Sequence, residues 1–334
     1  MQRALLLGLL MPAMIHAAEK PLETWSAYGR LIVTQFVSAP FPHPARAQGH
    51  TWNGQFFPAD KHYNDRTVAL FIPEGFRPGK TVDAVVHFHG WGNHVSRVLD
   101  EHRLIEQFAA SRRNAVLLVP QGPRDASDSF GGKLEEPDGF KRFMDEALAT
   151  LRAGPEGRVF RKAQWGRIVL SGHSGGYRVI AFILHHGGLT ERVREVWLFD
   201  GLYAQTDKFA RWFRNPATRF VNLYTENGGT KDDTDQLMAA LRREGVPFFV
   251  GNESDVTAAQ LRENRLLFLF TTVNHHDVVH AQSAFRRFLE TSCLEEIRSR
   301  TSRRAQGDGP GGASSGPTDP GGPSRRSPNA SVPR

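Results

Sequence analysis

From about residue 67 to residue 289, short apolar runs alternate with stretches whose apolar residues recur at helical spacing. A continuous apolar run bounded by turn residues suits a strand buried on both faces, and an apolar stripe every three to four residues suits a helix lying on it. The runs predict strands over residues 67–72, 82–89, 115–120, 168–171, 193–199, 220–224 and 266–272. The helical stretches fall at 95–112, 140–151, 177–185, 234–243 and 279–289. A shorter run, 246–250, is either an extra strand or the approach to the next one. This alternation predicts an α/β fold with a mostly parallel central sheet and helices on both faces. No internal repeat interrupts it.

Two stretches are too long and polar to be simple connections. Residues 35–65, rich in proline, histidine and aromatics, form either an amino-terminal strand pair or a loop over the sheet. Residues 121–139 follow the carboxyl end of a predicted strand, where open α/β sheets bind ligands. That loop either packs irregularly away from substrate or lines it, with Asp128, Lys133 and Glu135 as its reachable polar groups.

The candidate chemistry lies between the strand at 168–171 and the helix at 177–185, in Gly172-His173-Ser174-Gly175-Gly176. A G-x-S-x-G turn between strand and helix strains its serine backbone and exposes the hydroxyl, and the glycines let the two elements meet without Cβ clashes. A bare match to that pattern is common, so the strand and helix around it carry the signal.

A serine hydroxyl attacks only when a base takes its proton. His275-His276-Asp277 follows the last long strand and precedes the last helix, the position expected of a base in the order nucleophile, acid, histidine. His275 lies nearer the strand end and His276 is its alternative; neighbouring histidines in a turn are not separable by sequence. An acid must hold the imidazole in the useful tautomer. Asp200, closing the run Val196-Trp197-Leu198-Phe199, is favoured over Glu226, which closes the next strand inside a glycine-rich loop, because a short acid on a rigid strand end orients a partner better. Asp232 and Asp233 lie further off.

Acyl transfer also needs backbone donors aimed at the developing oxyanion. Gly175, following the serine, offers one, and Trp91 in the turn His89-Gly90-Trp91-Gly92 offers the second, with Gly90, His89 and His173 expected to bind substrate. A metal site is the competing reading of His87, His89 and His94, since imidazoles are common ligands and residues 87 and 89 would share a strand face. No carboxylate lies within that cluster, which argues against it.

The ends change the accounting of charge. Met1-Gln2-Arg3, the apolar run from Ala4 to Ile15 and His16-Ala17-Ala18 have the three regions of a secretory signal peptide, too short for a spanning helix, so residues 1–18 predict an exported chain, periplasmic or secreted. Residues 299–334 are Gly, Pro, Ser and Arg with almost no large apolar side chains, and predict a disordered tail. The net charge of +7 comes mostly from these ends: six arginines against Asp308 and Asp319 in the tail, and Arg3 in the leader. The remainder is nearly neutral, and nothing in it suggests nucleic-acid binding or membrane insertion after cleavage. Cys293 is the only cysteine, which excludes an intrachain disulfide and a cysteine metal cluster. The expected organisation is thus a signal peptide (1–18), an amino-terminal extension or strands (19–64), a catalytic domain (65–292) and a tail (299–334).

Across roughly residues 65–290 the His89-Gly90 loop, the Gly172 to Gly176 elbow, an acid after a later strand and a histidine after the last strand together resemble the α/β-hydrolase family. That resemblance implies a Ser-His-Asp hydrolase forming an acyl-enzyme on Ser174 with no metal or organic cofactor. Most members carry the acid one strand later than Asp200, and a minority use the earlier strand. Exported members are often esterases, lipases or polyester depolymerases. The expectation is a carboxylic ester hydrolase on small-molecule or polymer esters; a peptidase or amidase with the same triad and a non-catalytic binding protein on the same scaffold are the alternatives.

Overall fold

A computed structural model describes residues 22–155 and 157–297. The predicted signal peptide and tail lie outside the described residues. The described residues belong to one compact unit.

The central sheet has nine strands: β1 (Gly29–Gln35), β4 (Thr67–Pro73), β5 (Thr81–Phe88), β6 (Ala115–Pro120), β7 (Gln164–His173), β8 (Val193–Phe199), β9 (Arg219–Thr225), β10 (Phe249–Asn252) and β11 (Leu266–Thr271). A separate hairpin pairs β2 (His50–Trp52) with β3 (Gln55–Phe57). The sheet order is β1-β4-β6-β5-β7-β8-β9-β11-β10. β4 runs antiparallel to both β1 and β6, and every other pair is parallel. This is the α/β-hydrolase fold, with a mostly parallel sheet and helices on both faces.

Alternation along the strands builds two cores. In β7 and β8, Ile168, Leu170, Val196 and Leu198 face a core with Phe140, Phe143 and Ile180 on one side. Val169, Trp197 and Phe199 face the other, against Phe108, Phe285 and Phe288. Strands buried on both faces need no polar alternation, which is why they appear as unbroken apolar runs.

Departures from the predicted elements have local causes. The helix predicted over 95–112 is two, Val95–Glu101 and Leu104–Ser111, because Arg103 takes φ 50° between them. The last helix begins later than predicted, at Ala284, after Gln282 and Ser283 at φ 51° and 53°. β7 extends four residues upstream of its apolar run, and the 246–250 run ends in the edge strand β10. The helices Thr206–Phe213 and Ala258–Glu263 were not predicted. Among the described residues no helix is long and apolar enough to cross a membrane.

Candidate active site

The carboxyl ends of β5, β7, β8 and β11 converge on Ser174. β7 ends at His173, and Ser174 sits at φ 50°, a left-handed conformation that costs a residue with a side chain about 1–3 kcal/mol. The turn is held because strand and helix pack almost in contact. A Cβ on Gly176 would lie 2.6 Å from the Phe88 carbonyl oxygen, and one on Gly172 would lie 2.8 Å from Ile180 Cδ1. The loop after β5 passes directly over the serine: a Cβ on Gly90 would sit 2.6 Å from Ser174 Cβ and 3.2 Å from its Oγ.

His275 reaches Ser174 from the loop after β11, with Nε2 2.9 Å from Ser174 Oγ. Its Nδ1 lies 2.7 Å from Asp200 Oδ2. Asp200 is fully buried at the end of β8, where Thr225 donates through its amide (3.2 Å) and its hydroxyl (2.8 Å), and Thr230 donates through its hydroxyl. Burial alone would push the Asp200 carboxyl up, but hydrogen bonds from His275, Thr230 and Thr225 outweigh it and hold the group below its ordinary value. The two alternatives lie elsewhere. His276 and Glu226 are exposed, and the His276 amide donates to the Asn274 side chain at 3.0 Å.

His89 and His173, the histidines expected to bind substrate, both hydrogen-bond to backbone groups around the site. His89 Nδ1 donates to the Gly90 carbonyl (2.8 Å), and its Nε2 accepts from the Gly122 amide (2.9 Å). His173 Nε2 donates to the His275 carbonyl at 2.8 Å, so it pins the loop that carries His275. The 87–89–94 cluster also disperses. His87 Nδ1 meets Ser171 Oγ at 2.9 Å, while His94 caps the helix Val95–Glu101. Among the described residues no group of three or more His, Cys, Asp or Glu is arranged to hold a metal.

The loop 121–139 borders the site, and the three polar groups expected to reach substrate from it are each engaged by another part of the chain. Ser129 accepts from Trp91 Nε1 at 2.7 Å, and a Cβ on Gly175 would meet Ser129 Oγ at 2.6 Å and Trp91 Cδ1 at 2.7 Å. Asp128 is committed to Arg46 (2.7 Å), Glu135 to Arg178 through two bonds (2.8 and 2.9 Å), and Lys133 Nζ to the Val37 carbonyl. Tyr203 was missed from sequence. Its hydroxyl donates to the Gly228 carbonyl at 2.6 Å, and burial first, then the Asp200 charge, pushes the phenol up to about 12.

Behind the site His87, His102 and His173 form a buried row, with ring centroids 5.9 Å and 5.0 Å apart. Burial first, and repulsion from neighbouring imidazoles second (His275 for His173, the other buried histidines for His87 and His102), lower His87 and His173 to about 3 and put His102 well below its ordinary value; burial lowers His89 to about 4. In the unfolded chain each imidazole takes a proton near pH 6.5, and the folded chain withholds it. The resulting stability is complete above about pH 6.5 and falls by about 1.4 kcal/mol per imidazole for each pH unit well below it, down to the folded value. The urea midpoint is therefore expected to drop steeply from pH 6.5 to 4, and His102→Leu to flatten that drop. A midpoint level across this range contradicts the burial of neutral imidazoles.

No family model matches the chain, and no curated protein matches it. Among solved structures the chain is similar to a feruloyl esterase module from Clostridium thermocellum complexed with sinapinate, at 10% identity over 79% of this chain and 88% of that one, with a TM-score of 0.47. It is also similar to the fluorophosphonate-binding serine hydrolase F of Staphylococcus aureus, at 12% identity over 78% and 97%, TM-score 0.47. A third is a ferulic acid esterase from Anaeromyces mucronatus in complex with ferulic acid, at 13% identity over 79% and 91%, TM-score 0.42.

Proposed function

We propose that this chain is an exported serine hydrolase that cleaves carboxylic esters through an acyl-enzyme on Ser174. The observation that carries the reading is the unbroken hydrogen-bond chain from Ser174 Oγ through His275 to buried Asp200, at 2.9 and 2.7 Å. As Ser174 Oγ attacks the ester carbonyl, His275 Nε2 takes its proton, and Asp200 stabilises the imidazolium through Nδ1–H. The carbonyl oxygen becomes an oxyanion, for which the Gly175 and Trp91 amides are the proposed donors. His275 returns the proton to the departing alcohol. Water then repeats the sequence on the acyl-enzyme and releases the acid. Every bond change is served by these groups and water, so the reaction needs no organic cofactor. The strained φ at Ser174 and the close pass of Gly90 support the same reading, since both present the hydroxyl to a carbonyl beneath a backbone loop. Export is the reading of the first 18 residues, from their charged, apolar and small-residue regions.

The test compares the purified chain on p-nitrophenyl acetate and butyrate with the matching anilides. Ester turnover well above anilide turnover is the expected result. Preference for the anilides would make the chain an amidase, and no turnover of either by folded protein would favour a binding role.

A further inference from the structure

The surface beside Ser174 carries apolar area that the hydrolytic steps do not use. Trp91 is 42% exposed and Trp52 48% exposed. Their rings meet edge to face, with centroids 5.1 Å apart and planes 69° apart. Trp91 lies against Gly175, where it borders any group bound at the serine. Its indole N–H is held by Ser129, so the ring is fixed before a ligand arrives.

Trp52 is brought there by the hairpin. Its strand register puts Trp52 and Gln55 on the same face as His50 and Phe57. Phe57 is buried in a cluster with Phe41, Tyr63, Ala126 and, at its edge, Phe130. Docking that face on the cluster carries Trp52 beyond its margin, onto Trp91.

The charges around this surface are already compensated. Arg46 pairs with Asp128, Arg178 with Glu135, and Arg97 with Asp125 at 3.2 Å. A carboxylate or ammonium on the substrate would find no vacant partner among these groups, whereas a flat neutral ring finds an indole face and an indole edge. Edge and offset contacts of this kind favour aromatic rings over aliphatic ones of equal size.

We propose that Trp91 and Trp52 form a subsite for an uncharged planar aromatic group attached to the scissile ester directly or through one methylene, on its acyl or its alcohol flank. This rests on the serine-hydrolase reading of Ser174 and adds the substrate class to it. The experiment uses ring pairs matched in size: methyl benzoate against methyl cyclohexanecarboxylate, and benzyl acetate against cyclohexylmethyl acetate. On one flank the aromatic ester is expected to have a kcat/KM about fivefold higher or more. Trp52→Ala is expected to remove most of that preference through KM, and Trp52→Phe to retain it.

Binding is read separately on the Ser174→Ala chain, from quenching of indole emission by the same esters, with the aromatic member quenching at lower concentration. Equal rates for both rings on both flanks, or a preference that survives Trp52→Ala, would overturn the subsite. Aromatic-selective quenching without hydrolysis of any ester by the unaltered chain would uphold the subsite and overturn the hydrolase reading instead.

Discussion

Ser174→Ala is expected to lower kcat for a short ester by about four to six orders of magnitude, with His275→Ala costing nearly as much and the double variant no more than either alone. The reason is the single proton path: Oγ lies 2.9 Å from His275 Nε2, and neither group has a catalytic use without the other. With both removed, the backbone donors after Ser174 and Gly90 remain and should sustain a small residual rate over water. Steady-state kinetics on the three variants, each checked for native circular dichroism, measure this. Small losses that simply add in the double variant would mean that the reacting groups lie elsewhere.

The second large effect separates two acids. Asp200→Asn is expected to cost about 10⁴-fold in kcat, while Glu226→Gln stays within about twofold. Thr225 and Thr230 donate to the Asp200 carboxylate, and His275 Nδ1 requires an acceptor there. An amide in its place retains the shape but offers N–H toward Nδ1, which favours the tautomer with its proton on Nε2 and so blocks that nitrogen as a base. Glu226 projects into solvent and contacts none of these groups. Kinetics at one pH on the two variants decide it, and collapse of Glu226→Gln with Asp200→Asn intact would reverse the assignment.

These residues show where sequence suffices and where it stops. The buried strands were legible because double-sided burial writes an unbroken apolar run, and the elbow because its glycines flank a serine between strand and helix. His275 and His276 could not be separated, because the decision lies in a side chain: Asn274 Oδ1 accepts from the amides of His276 and Asp277 and tightens the turn that leaves His276 outside. The choice between Asp200 and Glu226 was hidden for a related reason. The loop after β9 that carries Glu226 also supplies Thr225 and Thr230 to Asp200, a contact across about 25 to 30 residues with no local periodicity.

For His89 and His173 a position beside a reactive serine suggests contact with substrate, while the hydrogen bonds they make to Gly122 and His275 are set by tertiary packing and leave no local signal. Trp52 did have a local signal. Asn53-Gly54, at φ 49° and 81°, is the dipeptide of a tight hairpin turn, and it sits inside the 35–65 stretch that was left open between a strand pair and a loop. That hairpin lies outside the nine-stranded sheet, and its position over the 121–139 loop comes from the cluster of Phe41, Phe57, Tyr63 and Phe130, which no periodicity reveals.

The reading of the site requires Ser174 to be an activated nucleophile. Mass spectrometry of the purified chain after brief exposure to a fluorophosphonate, run beside Ser174→Ala, tests it most directly. One adduct is expected, mapped to Ser174 and absent from the variant. No adduct on folded protein, or an adduct that persists in Ser174→Ala, would contradict it.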